Sequence, residues 1–426
     1  MLAQETRALL TRLERVRPLS LQETMVPAAA IAPAALTAIE TTLASRGRDL
    51  KKRVRAFLAW LGGPPGRAAN PEAIQKRFTL LRMSFNAYLS QLDIFSDALT
   101  QRSEQVSGVW LAGLDAVASD ALTLPGSPYQ APDVICYLDR GHGAAIRRAR
   151  TRLPGGGRSP VAVIRLPRER LVGCGLAGSL VHEVGHQGAV LIDLIASLRL
   201  AIDALRRRGG IAQAPWSLWE RWIQEIVADL WSVAKVGAAS TLGLMGVVSL
   251  PRVFVFRHDL EDPHPIPWIR VKLSCAMGQA LYPDPQWARL ADLWESYYPR
   301  AGITDEQRVT LDALERTLPA FVAMLLQHRP RALAGKSLRQ VMAAEEKQPG
   351  RLRLLFRTWR GRASAMRGAP PSLVFAALGQ ARLDGAISPE AEGRLVADLL
   401  TFWAWKRGRR ERERPPVGLA SRTMAQ

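Results

Sequence analysis

Residues 182–186 read His-Glu-Val-Gly-His inside an apolar stretch that runs from about Leu171 to Leu205 and is closed by Gly209-Gly210. The spacing predicts one long helix. Two histidines four residues apart fall on one face of such a helix, so both imidazoles can hold the same ion at about 2.0–2.1 Å. Glu183 lies to one side of the pair, where a carboxylate can take a proton from water and pass it on. Residue frequencies give this pattern by chance on the order of 0.005 times in a chain of this length. The chain has only 6 histidines in 426 residues. The pair is therefore read as a metal site, with zinc (Zn2+) the expected ion.

Two histidines hold zinc weakly, and a third protein ligand is expected. A metzincin would place it six residues after the second histidine, with glycine at the third; those positions are Ile192 and Ala189. A deformylase would use an upstream cysteine, but Val134-Ile135-Cys136-Tyr137-Leu138 does not match the Gly-Cys-Leu-Ser pattern. Glu225-Ile226-Val227-Ala228-Asp229 answers better. Glu225 and Asp229 are again one turn apart. One carboxylate can ligate the ion while the other accepts the free ring N–H of a ligating histidine, fixing its tautomer.

HExxH followed by ExxxD on a second helix resembles the gluzincin zinc metallopeptidases, and the Glu-x-x-Ala-Asp form is most like the M48-type peptidases. The resemblance covers about residues 160–270. It implies His182, His186 and Glu225 as zinc ligands, Glu183 as general base, and Asp229 as the partner of a liganding histidine. It also implies an edge strand ahead of the HExxH helix that pairs with substrate backbone. Pro160 to Leu166 sits there, which puts Val161, Val163 and Arg165 beside the substrate. Asp262-Pro263-His264-Pro265 through Arg270 echoes a His-Pro and a later Arg of that family. His264 is then an oxyanion stabiliser, and Arg270 either shares that role or orders the loop. Tyr137, Tyr282, Tyr297 and Tyr298 are further oxyanion donors in principle, though each reads more simply as core or surface. The expected function is hydrolysis of a bond in a peptide or protein substrate. The rival is a binding or regulatory protein with a structural zinc, whose basic surface takes nucleic acid or an acidic partner.

That surface comes from a net charge of +20, with Arg147, Arg148, Arg150 and Arg206 to Arg208 among its sources. No nucleic-acid-binding motif accompanies the charge. Cys136, Cys174 and Cys275 are odd in number and lack a CxxC pair, so they read as free thiols in a reducing compartment. The N-terminus carries charges where a signal peptide needs an apolar core. Met25 to Ile39 is broken by Pro27 and Pro33, and Val236 to Leu250 is short and glycine-bearing. Neither reaches the ~20 apolar residues of a membrane span, so a cytoplasmic setting is expected.

Helical periodicity covers roughly 34–61, 70–99 and 103–122, and short apolar runs at 134–138 and 160–166 read as strands. Ser217 and Glu220 form a capping box that starts a helix running to about Val236. Trp216, Trp219 and Trp222 around that start read as packing. The expected fold is α+β and predominantly helical, a zincin-like core with a small sheet beside the HExxH helix. Residues 1–125 form a helical N-terminal region, 126–300 the metallopeptidase-like core, 301–406 a helical C-terminal region and 407–426 a disordered basic tail.

Overall fold

The computed structural model describes residues 1–16, 26–139, 143–168, 173–208, 213–259, 262–360 and 362–413. These are predominantly helical around one small sheet. The first third forms α1 (Leu2–Arg15), α2 (Pro33–Gly62), α3 (Pro64–Ala68), α4 (Pro71–Thr100) and α5 (Gln105–Leu122). The bounds of α2 and α4 follow the periodicity closely because local signals agree with it. Each opens on proline, whose missing N–H costs nothing in a first turn, and Asn70 caps α4 by accepting from the Ala73 N–H at 2.7 Å.

The sheet holds β1 (Val134–Asp139), β2 (Ala145–Arg147) and β3 (Ala162–Pro167) in the order β1-β3-β2. β1 runs parallel to β3 and β2 antiparallel to it. This corrects the expected edge strand. β3 is central: Val163 pairs with Ile135 on one side and Arg147 on the other, and Arg165 with Tyr137 and Ala145. Val161, just ahead of β3, is buried. Val161, Val163 and Arg165 therefore offer no free backbone edge to a substrate. The edges are β1, whose outer backbone groups at Cys136 and Leu138 are taken by Arg102, Asp115 and Gln101, and β2, whose three residues are too few to show an alternating pattern.

The two sheet faces feed different cores. Cys136, Ile164 and Leu166 pack into a large cluster running from Leu111 on α5 to Trp403. Ile135, Val161 and Val163 pack into a second cluster built on α1, α2 and α4.

After the sheet come α6 (Cys174–Leu191), α7 (Leu194–Arg208), α8 (Gln213–Arg221), α9 (Ile223–Val236) and α10 (Ala238–Val248). The expected single helix to Leu205 is thus two, broken where Asp193 takes φ 50°. Its expected start at Leu171 and its Gly209-Gly210 end lie outside the described residues. The capping box is also corrected. Ser217 lies inside α8 and donates to the Gln213 carbonyl at 2.9 Å, while Glu220 accepts from Arg206 at 2.9 Å. A tertiary ion pair has taken the carboxylate that the local motif needed. Trp216, Trp219 and Trp222 are all buried, and Trp219 stacks on Phe321 with ring centroids 4.9 Å apart.

The chain continues through α11 (Arg252–Val255), α12 (Pro267–Leu281), α13 (Gln286–Tyr297), α14 (Asp305–Gln327), α15 (Leu338–Met342), α16 (Pro349–Arg360), α17 (Ala363–Gly368), α18 (Pro371–Leu383) and α19 (Pro389–Glu413). Packing does not stop at residues 125 or 300: α5, α6, α9, α12, α14, α18 and α19 share the large cluster. Nor is 407–413 a loose tail, because α19 runs through it. Arg407 lies 3.0 Å from Asp115, a fully buried carboxylate that also binds Arg102 and the Cys136 N–H. A buried charge of this kind needs every partner within reach. Residues 414–426 lie outside the described residues. Among those described, no helix is long and apolar enough to cross a membrane.

Candidate metal centre

The site forms where α6 crosses α9 almost in contact. A Cβ added to Gly185 would meet the Ala228 Cα at 2.8 Å, and one on Gly188 would meet the Trp231 ring at 2.3 Å. Only glycine permits that approach, and it brings the carboxylates of α9 to the histidines of α6. One hydrogen bond joins the two helices directly: Ser232 Oγ donates to the Gly178 carbonyl at 3.1 Å. A second, from Trp231 Nε1 to the Ala121 carbonyl at 2.9 Å, anchors α9 to α5.

Three ligand-type atoms converge there. His182 Nε2 lies 3.2 Å from Glu225 Oε2 and His186 Nε2 3.6 Å from it. The three lie within 4.8 Å of one another, the only such group among the described residues. Asp229 stands behind them, its Oδ1 2.8 Å from His182 Nδ1. Arg270 closes that side with Nε and Nη2 donating to Asp229 at 2.7 and 2.9 Å. His264 approaches from the loop ahead of α12, its Nε2 3.3 Å from Glu225 Oε2. Asp262 Oδ1 orients that ring, accepting from the His264 backbone N–H at 2.9 Å and lying 2.7 Å from its Nδ1.

The electrostatics ask for a cation. With the Nδ1–H of His182 given to Asp229, its Nε2 lone pair faces a carboxylate oxygen, an arrangement that repels unless positive charge lies between. With a proton in place of a cation, burial opposes the charged His182 ring, but Asp229 and Glu225 outweigh it and lift its pKa to about 9. Burial pushes the Glu225 carboxyl up, yet the imidazoles of His182, His186 and His264 hold it far below the carboxylate range. Burial likewise pushes Asp229 up, and Arg270 with His182 brings it well down. Glu183 differs. Burial raises its pKa above the ordinary value, which suits a group that must accept a proton. His264 is raised too, chiefly by the Glu225 carboxylate beside it. Two imidazoles and a carboxylate in this disposition fit a zinc ion.

Two cavities open on the cluster. One of ≈ 130 Å³ is lined by Gly178, His182, Glu183, Leu244, His264 and Arg270 among others. The other, ≈ 250 Å³, lies between the cluster and β2 and is lined by Ala144, Ile146, Glu183, His186 and Gln224. Gln187, almost wholly buried, accepts from the Ala149 N–H at 2.8 Å and so ties the chain just after β2 to α6.

The structure therefore brings His182, Glu183, His186, Glu225, Asp229 and His264 together. Arg270 is committed to Asp229, so its place is behind a ligand, and an oxyanion role is not what its Nε and Nη2 perform. Of the four tyrosines, none lines either cavity. Tyr282 is buried against the Ala234 carbonyl at 2.6 Å, and Tyr298 donates to the Leu250 carbonyl at 3.0 Å. Cys136 and Cys275 are free and buried, and burial pushes both thiols up, Cys275 to about 12. The side chain of Cys174 lies outside the described residues.

Sequence reasoning missed the orienting role of Asp262, the anchor at Gln187 and the edge position of β2. An Asp two residues before His264 is a readable signal for the first; the other two have none. No protein-family model matches the chain, and no curated protein or solved structure matches it.

Proposed function

We propose that this chain is a zinc-dependent metallopeptidase of the gluzincin type, with a zincin-like core formed by β1–β3, α6 and α9. The observation that carries the reading is the convergence of His182 Nε2, His186 Nε2 and Glu225 Oε2 beside Glu183. Zinc, when bound, polarises the scissile carbonyl and lowers the pKa of water. His182, His186 and Glu225 would hold it. Asp229, fixed by Arg270, holds His182 in the tautomer that presents Nε2. Glu183 takes the proton of the attacking water and delivers it to the leaving amine. His264, oriented by Asp262 and lining the same cavity as Glu183, would donate to the carbonyl oxygen as charge develops there. The free edge of β2 gives the substrate a backbone to pair with, in place of the β3 edge expected from sequence.

A purely structural zinc needs no carboxylate such as Glu183, buried beside the ligands and facing a cavity. The test is direct. Purified protein is assayed for bound zinc and for cleavage of a peptide library, alongside Glu183→Ala and His186→Ala. Glu183→Ala should keep the metal and lose hydrolysis, and His186→Ala should lose both. A wild-type protein that takes up no zinc defeats the reading.

A further inference from the structure

A groove of ≈ 520 Å³ lies on the opposite flank of β2 from the metal cluster. The strand register settles which side chains enter it. Arg147 stands opposite Val163 and Ala145 opposite Arg165, on the face that Ile135 and Tyr137 share. Ile146 stands opposite Ile164, on the face turned to α6. Cross-strand partners share a face, so β2 is a ridge with Glu183 and the ligands on one flank and the groove on the other.

The groove is basic. Arg147, Arg152 and Arg165 line it against Asp93 and Asp97 on α4, and Arg148 lines both it and the cavity beside the metal cluster. Arg165 lies 3.6 Å from Asp139. Arg147, Arg148 and Arg152 form no ion pair among the described residues. Four guanidiniums against two aspartates leave the groove net positive, with Arg147 half-buried on the edge strand itself, and such a surface recognises carboxylate, which guanidinium binds in a two-pronged geometry.

An extended chain paired with β2 alternates its side chains between the two flanks. We infer that the groove selects peptide substrates carrying Asp or Glu at the positions that alternate with those facing the metal cluster, with Arg147 and Arg152 as the recognising groups. The inference rests on the peptidase reading for the pairing of substrate with β2. Its test reads binding without turnover, so the two can fail separately.

The experiment uses zinc-loaded Glu183→Gln protein and three labelled peptides of equal length, centred on Glu-Ala-Glu, Ala-Ala-Ala or Lys-Ala-Lys, with anisotropy as the readout. The Glu peptide should bind at least ten-fold more tightly than the Ala peptide. Adding Arg147→Glu and Arg152→Glu should reverse the order in favour of Lys, with zinc content and circular dichroism showing that the fold survives. Equal binding of the three peptides, or an order that charge reversal leaves alone, overturns the inference. A single-stranded oligonucleotide is the competing ligand. If it binds more tightly than the Glu peptide and charge reversal abolishes that binding, the groove is a nucleic-acid site and the inference falls. Glu-selective binding with no peptide hydrolysis by the wild type would instead overturn the peptidase reading and leave carboxylate recognition standing.

Discussion

Gly185 of α6 faces Ala228 of α9 so closely that a methyl group on the glycine would come within 2.8 Å of the Ala228 Cα. The two small residues sit inside the two motifs, one between His182 and His186, the other between Glu225 and Asp229. Their contact sets the distance between histidines and carboxylates. Gly185→Ala must push the helices apart, because the neighbouring atoms are backbone and the rigid Trp231 Cβ. It should lower zinc affinity at least ten-fold in a chelator competition titration and destabilise the protein by roughly 1–3 kcal/mol. Unchanged affinity would show that the crossing does not set the ligand geometry.

Asp229 and Arg270 behave as one unit in this geometry. Asp229→Asn should cost 10–100-fold in zinc affinity, since it weakens the acceptor that orients His182. Arg270→Ala leaves a buried carboxylate facing the His182 ring alone, and urea unfolding should show a loss of roughly 3–5 kcal/mol. In urea unfolding the double variant Asp229→Asn with Arg270→Ala should lose less stability than the sum of the two single changes. Additive losses would separate the two residues.

Zinc should stabilise the fold, because its ligands come from two helices and binding to the folded state alone raises the unfolding free energy by mass action. Calorimetric scans with EDTA and with excess zinc should differ in Tm for the wild type and coincide for His182→Ala. A wild-type Tm that ignores zinc would argue against the site.

Lys235 on α9 offers a pH test away from the metal. Burial, with the nearby Lys347 charge, lowers its pKa to about 8. In the unfolded chain a lysine titrates near 10.4. Between those values the unfolded state binds the proton more tightly, so this residue makes stability rise with pH. The charge is fully costly below about pH 8 and relieved above it. Lys235→Met removes the effect, so its advantage over the wild type in urea unfolding should be largest near pH 7 and shrink by pH 10. A gap that does not change with pH would place the ammonium in water.

The C-terminal helix should matter to the core through Arg407. Removing its side chain leaves Asp115 with Arg102 and the Cys136 N–H. Arg407→Ala should cost roughly 1–3 kcal/mol in urea unfolding; no change would return α19 to the status of an appendage.

The sequence by itself determined α2, α4 and α5 and singled out the residues of the candidate metal centre. Both depend on spacing within one element: apolar repeats for α2, α4 and α5, and i,i+4 pairs for His182/His186 and Glu225/Asp229. It could not decide which strand lies at the sheet edge. β2 is three residues long, and its place beside β3 follows from pairing across a loop. Nor could it decide that Glu220 leaves its capping position for Arg206, that Arg270 stands behind Asp229, or that Arg407 reaches Asp115. Each of these is a charge finding its partner between elements remote in sequence, and buried charges go where the assembled core leaves their counter-charges.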